Sequence, residues 1–133
     1  MTQLYDGYLS EHEIEAAQFA LMMTIDAVED KGQAAMGRVL GMDKTTLSRN
    51  LRVLRTRGWA ESVTGEDARR RSILLTAKGR ELLAKARPAW KRAQAEIRAG
   101  MSEREWNAMW ESLRTVTHAV EAAAEKRSRL KEE

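Results

Sequence analysis

If Leu47, Leu51 and Leu54 line the buried side of one helix, its opposite side presents Lys44, Thr45, Ser48, Arg49, Arg52 and Thr56, with Thr46 near the edge. Every one of these side chains can donate a hydrogen bond. No carboxylate follows Asp43 on that face, so the i,i+4 partners that usually accompany Arg on a solvated helix are missing. A helix of about 13 residues is about 20 Å long. That length fits the major groove of duplex DNA, where Arg reads guanine and short hydroxyls reach bases or phosphates. The competing reading is a plain solvated face.

A second cationic group lies in the polar stretch between Val63 and Ser72, which carries the turn residues of a hairpin loop. Arg69, Arg70 and Arg71 are adjacent there and repel one another. Such an arrangement becomes favourable beside a phosphate backbone or in a narrow minor groove, whose negative potential attracts Arg. Asp67 is read as the structural partner that orients one of them. Alternatively, Glu66 and Asp67 neutralise part of the cluster and solvent takes the rest.

These groups need elements to hold them, and apolar spacing supplies the outline. Ile14, Ala17, Phe19, Leu21, Met22, Ile25 and Val28 predict a helix with Lys31-Gly32 as its basic last turn and stop. Before it, Leu4, Tyr5, Tyr8 and Leu9 predict the end of another helix closing near Ser10. Met36, Val39 and Leu40 predict a short helix facing inward, Met42 a plug at the corner, and Asp43 the N-cap of the helix that Gly58 ends. Gly37 is placed where two helices would cross closely. Trp59 to Val63 and Ser72 to Leu75 predict two strands, so a helix-turn-helix is followed by a β-ribbon, which makes a winged helix. Thr76 is the candidate N-cap of a long helix with the stripe Leu82, Ala86, Trp90, Ala93 and Ile97, bent rather than broken at Pro88. Gly100 stops it, and Ser102-Glu103-Arg104-Glu105 is a capping box opening a last helix with the stripe Trp106, Met109, Trp110, Leu113, Val116 and Val120. The remainder, Glu121 to Glu133, is helix-prone, mostly polar and expected to fray.

Composition agrees with that outline. With 133 residues, 43% hydrophobic and 32% charged, the chain has the size of one domain, and eight Gly with one Pro are too few turn makers for a sandwich or barrel. The expected fold class is mostly α with a small β-hairpin wing. Absence of Cys excludes disulfides, thiolate metal sites, a Cys nucleophile and a thiol switch. The apolar run Phe19 to Met23 is too short for a signal-peptide core or a membrane span, so a cytoplasmic protein without membrane contact is expected. Net charge is only +3, yet residues 1 to 30 hold seven acids and no Lys or Arg. Residues 31 to 87 hold fourteen Lys or Arg against five acids, a segment charge of +9. That block is the electrostatic footprint of a phosphate-binding surface, or a solvated basic surface paired with the acidic N-terminal segment.

Three stretches resemble the MarR family of bacterial transcription regulators. Ala17-Gln18-Phe19-Ala20-Leu21 resembles the family's helix after its dimerisation helix, and Met36 to Leu54 its helix-turn-helix. Asp67-Ala68-Arg69, followed by Leu75-Thr76-Ala77-Lys78-Gly79-Arg80, resembles the wing motif D-x-R and then L-T-x-x-G. The resemblance implies a homodimer built from terminal helices, binding a pseudo-palindromic operator and often relieved from repression by a small aromatic anion. It aligns Lys44, Thr45, Thr46, Ser48, Arg49 and Arg52 with the recognition helix, and Arg69 with the wing Arg that enters the minor groove. Residues 14–87 would then be the winged helix, and 1–13 and 88–133 the dimerisation helices, the first of these shorter than in the family.

The remaining candidates are weaker. Leu4, Tyr5, Trp106, Met109, Trp110, Leu113, Val116 and Val120 are expected at a two-fold dimer interface rather than in a core. Tyr8, His12, Phe19, Met22, Met23 and Trp90 could line a pocket for a small aromatic effector, although Met and aromatic residues at helical spacing are more often packing. His12 and Glu15 form an i,i+3 pair that is more often solvated than metal-binding, and no metal or other cofactor is expected. No Gly-rich phosphate loop, H-E-x-x-H or G-x-S-x-G occurs, so the chain is not read as an enzyme. Against a sequence-specific repressor stand a winged-helix protein-interaction module and a non-specific architectural DNA binder. An interaction module should expose apolar residues where this helix exposes Arg, Thr and Ser.

Overall fold

A computed structural model describes residues 2–28, 32–64 and 71–132. The chain divides into two compact units, Met1–Ala93 and Gln94–Glu133. In chain order the elements are α1 (Thr2–Leu9), a 3-10 turn (Ser10–His12), α2 (Ala16–Ala27), α3 (Gln33–Leu40), α4 (Lys44–Thr56), β1 (Ala60–Thr64), β2 (Arg71–Leu75), α5 (Ala77–Ala99) and α6 (Glu103–Glu132).

In the first unit α2 is the central element, in contact with α1, α3, α4 and β2. Phe19, Leu21, Met22 and Ile25 on α2 are buried with Leu9, Met36, Leu47, Leu51, Leu54, Ile73 and Leu83 in one core. Its start is held from two sides: the Asp6 carboxylate accepts from the Ala16 N–H at 2.7 Å, and Gln18 Oε1 accepts from the Glu15 N–H at 3.2 Å. β1 and β2 form a two-stranded antiparallel sheet in register from Ala60 opposite Leu75 to Thr64 opposite Arg71. Ile73 and Leu75 point into the core from β2, as period-two alternation requires, while β1 past Ala60 is exposed.

Several boundaries differ from the sequence reading for identifiable reasons. Gly32 does not stop α2: that helix ends at Ala27 with Val28 extended, and Gly32 is the extended N-cap of α3. Val39 is 62% exposed, because the eight-residue α3 buries a narrow line through Met36 and Leu40 at i,i+4. The strands lie one residue off the expected bounds. In α5 the buried row is Gly79, Leu83, Ala86, Ala89 and Ala93, with Leu82 and Trp90 half-buried beside it. At the start of that row the helix lies against backbone: a Cβ at position 79 would lie 2.0 Å from the Trp59 carbonyl oxygen. Gly37, the glycine expected at a close crossing, has only ordinary contacts, with Leu47 Cδ2 and the Met42 carbonyl oxygen both 3.4 Å from where its Cβ would be. α5 runs unbroken through the exposed Pro88.

The second unit is a helical corner. The Gly100 and Met101 N–H groups close onto the Ile97 and Arg98 carbonyls, and Arg98 donates to the Met101 carbonyl at 3.3 Å while lying 5.3 Å over the Trp106 ring. Trp106 meets Trp110 edge-on at 5.9 Å. The capping box forms as read, with Ser102 N–H donating to Glu105 and Glu105 N–H to the Ser102 hydroxyl. α6 then continues to Glu132.

The two glycines should separate in a stability measurement. Gly79→Ala forces a Cβ into backbone and should lower unfolding free energy by about 3 kcal/mol. Gly37→Ala has room and gains helix propensity of up to about 1 kcal/mol, so it should be neutral to stabilising. Urea unfolding of the two variants checks the order; equal losses would contradict it.

Candidate nucleic-acid interface

The face that presents the hydrogen-bond donors is built by a tight turn and a cap. Gly41, at φ +62°, takes the left-handed conformation that closes α3, and the Met42 N–H returns to the Gly37 carbonyl at 3.1 Å. Asp43 is extended, and its carboxylate accepts from the Thr46 N–H and the Thr46 hydroxyl, each at 2.8 Å. These bonds, the Thr46 N–H foremost, hold the Asp43 carboxyl below its ordinary pKa. Leu47, Leu51 and Leu54 are all at most 2% exposed, which turns Lys44, Thr45, Ser48, Arg49, Arg52 and Thr56 outward as the periodicity requires. Five of them, Lys44, Thr45, Ser48, Arg49 and Arg52, line one shallow cleft of about 410 Å³. Thr46 is different: half-buried, it spends its hydroxyl proton on Asp43 and belongs to the cap.

A residue that periodicity did not single out joins this face. The Gln33 side-chain amide, on the first residue of α3, donates to Ser48 Oγ at 3.0 Å. Fifteen residues separate the pair, and no local pattern signals it.

At the other end of α4 the basic residues turn to structural use. Arg55 donates to the Ser62 hydroxyl of β1 at 2.9 Å. Arg57 donates to the Glu13 carbonyl at 3.2 Å and lies 4.3 Å over the Trp59 ring. Gly58, at φ +75°, turns the chain, and Thr76 joins it to α5: the Thr76 N–H donates to the Trp59 carbonyl, and its hydroxyl donates to the Gly58 carbonyl at 2.6 Å while accepting from the Gly79 N–H. Thr76 is thus the N-cap that the sequence predicts and also the tie between wing and helix. Arg80 donates to the Leu75 carbonyl at 2.9 Å.

Asp67, Arg69 and Arg70 lie outside the described residues. Arg71 is exposed at the start of β2, opposite Thr64. Of the pocket candidates, Phe19 and Met22 are buried core, while Tyr8, Met23 and Trp90 pack half-buried against it; the Phe19 and Trp90 rings lie 6.3 Å apart. His12 is half-buried in the 3-10 turn. Of the dimer candidates, Leu4 and Tyr5 are half-buried on α1, and burial raises the Tyr5 hydroxyl above its ordinary pKa. On α6, Trp106 and Met109 are half-buried, whereas Trp110, Leu113, Val116 and Val120 are 42%, 48%, 59% and 61% exposed. Among the described residues no helix is long and apolar enough to cross a membrane.

Comparison with known proteins follows the same architecture. The MarR family profile matches residues 12–71. The transcriptional regulator MosR of M. tuberculosis, solved in complex with DNA, is 34% identical over 92% of this chain and 88% of its own, with a TM-score of 0.80. A mutant of E. coli MarR solved with operator DNA is 25% identical over 86% of this chain and 84% of its own, with a TM-score of 0.79. PcaV of Streptomyces coelicolor, solved with its natural ligand, shares the fold at 23% identity, 90% and 84% coverage and a TM-score of 0.79. Among curated protein sequences there is no significant match.

The cap gives a pH-dependent prediction. A carboxyl whose folded pKa is depressed contributes stability above its unfolded value, near 3.8 for Asp43, and loses it as pH falls through the folded value. Asp43→Ala should therefore melt below the wild type at neutral pH, with the gap closing in strong acid. Thermal melts across that range check it, and a gap independent of pH would remove the carboxylate from the explanation.

Proposed function

The chain belongs to the MarR family, and we propose that it is a sequence-specific DNA-binding transcription regulator. In this reading it acts in the cytoplasm as a homodimer, represses from a pseudo-palindromic operator and is released by a small aromatic ligand. The observation that carries the proposal is the outward face of α4, where Lys44, Thr45, Ser48, Arg49 and Arg52 converge on one cleft with no carboxylate among them.

Such a face suits a polyanion. Lys44 and the Arg side chains neutralise phosphates and release counterions, which supplies affinity that falls steeply with salt. Arg49 and Arg52 can each offer a planar pair of donors to guanine O6 and N7, which supplies discrimination. The wing adds Arg69, Arg70 and Arg71 at the minor groove, with Asp67 orienting one of them. Two-fold pairing through Leu4, Tyr5, Trp106, Met109, Trp110, Leu113, Val116 and Val120 would set two α4 helices about 34 Å apart, one turn of DNA. The effector is assigned to the surroundings of Tyr8, His12, Met23 and Trp90, above the buried Phe19 and Met22.

Titration against the chain's own upstream fragment and a scrambled duplex of equal length, at two salt concentrations, tests the reading. Tighter, salt-sensitive binding to the upstream fragment supports it. Equal binding points to an architectural role, and no binding at low salt to a protein-interaction module. Arg52→Ala should weaken specific binding by about 1–3 kcal/mol while changing scrambled-duplex binding less; equal losses on both would reduce Arg52 to a phosphate contact. Leu113→Glu combined with Val116→Glu should convert the dimer to monomer in sedimentation and abolish operator binding, because both side chains are exposed in the single chain and need not unfold it.

A further inference from the structure

Resting on that DNA-binding reading, we infer that Gln33 is a specificity-determining positioning residue: its side-chain amide fixes Ser48 on the α4 face as a hydrogen-bond donor toward the base beneath it.

Three helical threonines of this chain turn their hydroxyls back on their own backbone, whereas Thr46 gives its proton to Asp43. Thr24 donates to the Ala20 carbonyl, Thr115 to Glu111 and Thr117 to Leu113, all at i−4. Ser48 has the same option toward Lys44 and does not take it. Its oxygen instead accepts from Gln33 Nε2 at 3.0 Å. A hydroxyl has one proton and two lone pairs, so an amide N–H on one lone pair keeps the proton off the Gln33 side of the oxygen. Ser48 is exposed and lines the cleft with Lys44, Thr45, Arg49 and Arg52, so an acceptor in the cleft can take that proton.

The chemistry of the preferred base pair follows. A fixed donor favours an edge that accepts, namely guanine N7 and O6, adenine N7 or thymine O4, and disfavours the cytosine amino group. Without Gln33 the hydroxyl can rotate, either donating to the Lys44 carbonyl or accepting from cytosine, and the preference relaxes. Gln33 thus acts through Ser48 rather than by touching the base.

The test uses the full chain and duplexes carrying all four base pairs, one position at a time, across the upstream site that the wild type protects. Gln33→Ala is a mild change at the first position of a helix, and its melting temperature is measured alongside. The expected result is a loss of about threefold to tenfold in discrimination at one base pair of each half-site, the range set by one hydrogen bond, with other positions unchanged. Ser48→Ala should lose the same discrimination, and Gln33→Ala should add nothing on that background; Ser48→Thr, which keeps the hydroxyl, should retain it. A uniform loss at every position, additive effects of the two alanine variants, or a wild-type preference for cytosine at that position would overturn the inference while leaving the regulator reading intact. A wild type without any sequence preference would overturn both.

Discussion

The Trp59 carbonyl occupies the space that a side chain at position 79 would need. That one close approach places the first turn of α5 against the turn that follows α4, and the Thr76 backbone and hydroxyl bonds to Gly58, Trp59 and Gly79 tie the junction together. Trp59 N–H returns to the Leu54 carbonyl at 2.8 Å, so the same knot also terminates α4. Three elements therefore take their directions from about five residues. Bonds to backbone carbonyls at a 4% exposed Trp59 are shielded from competing water, so the junction is stiff. The L-T-x-x-G motif has here a physical meaning: Leu75 and Thr76 close the strand, and Gly79 admits the carbonyl.

Several guanidiniums of the basic segment are held in place by neutral acceptors while their charge stays exposed. Arg55, Arg57 and Arg80 are committed to the wing strand, the Glu13 carbonyl and the Leu75 carbonyl. Arg87 lies 3.8 Å from Asp26, an exposed pair worth little in itself. Of the exposed bases on α4, Lys44, Arg49 and Arg52 share one cleft with two hydroxyls, and Arg55 lies outside it. The division follows position: charges at the start and middle of α4 face away from the leucine row, and those at its end meet β1 and the turn before α2.

Much of this was legible in the sequence because the responsible interactions are local. Leucines at i, i+4 and i+7 orient α4, Asp43 and Thr46 are three residues apart, and Ser102 with Glu105 closes a box within one turn. The errors arise where distant segments decide. Gly37 is the glycine expected at the close crossing, and the approach of Trp59 to α5 shows that Gly79 is the glycine that a side chain cannot replace. In α5 the expected Ala86 and Ala93 are buried, while Gly79, Leu83 and Ala89 complete the row and Leu82 and Trp90 lie at its flanks. Val39 fits the helical repeat, but α3 is too short to bury more than one line. Asp67, Arg69 and Arg70 lie outside the described residues, and their part in the reading comes from the sequence.

A face made entirely of donors attracts any polyanion, so its charge cannot by itself produce selectivity; selectivity depends on donors whose directions are fixed before contact. Arg supplies a planar fork, but on a flexible stem, and a hydroxyl alone rotates freely. Direction here has two sources. The buried leucines and the Gly58–Thr76 junction hold α4 against rotation about its own axis, and cross-helix bonds such as Gln33 to Ser48 hold individual side chains. The first is the stiffer, because loosening it would expose the core, whereas the second can be removed without unfolding. Substitution at a position like Gln33 can therefore change the direction of an exposed donor without touching the core, while the leucines and Gly79 are held by stability.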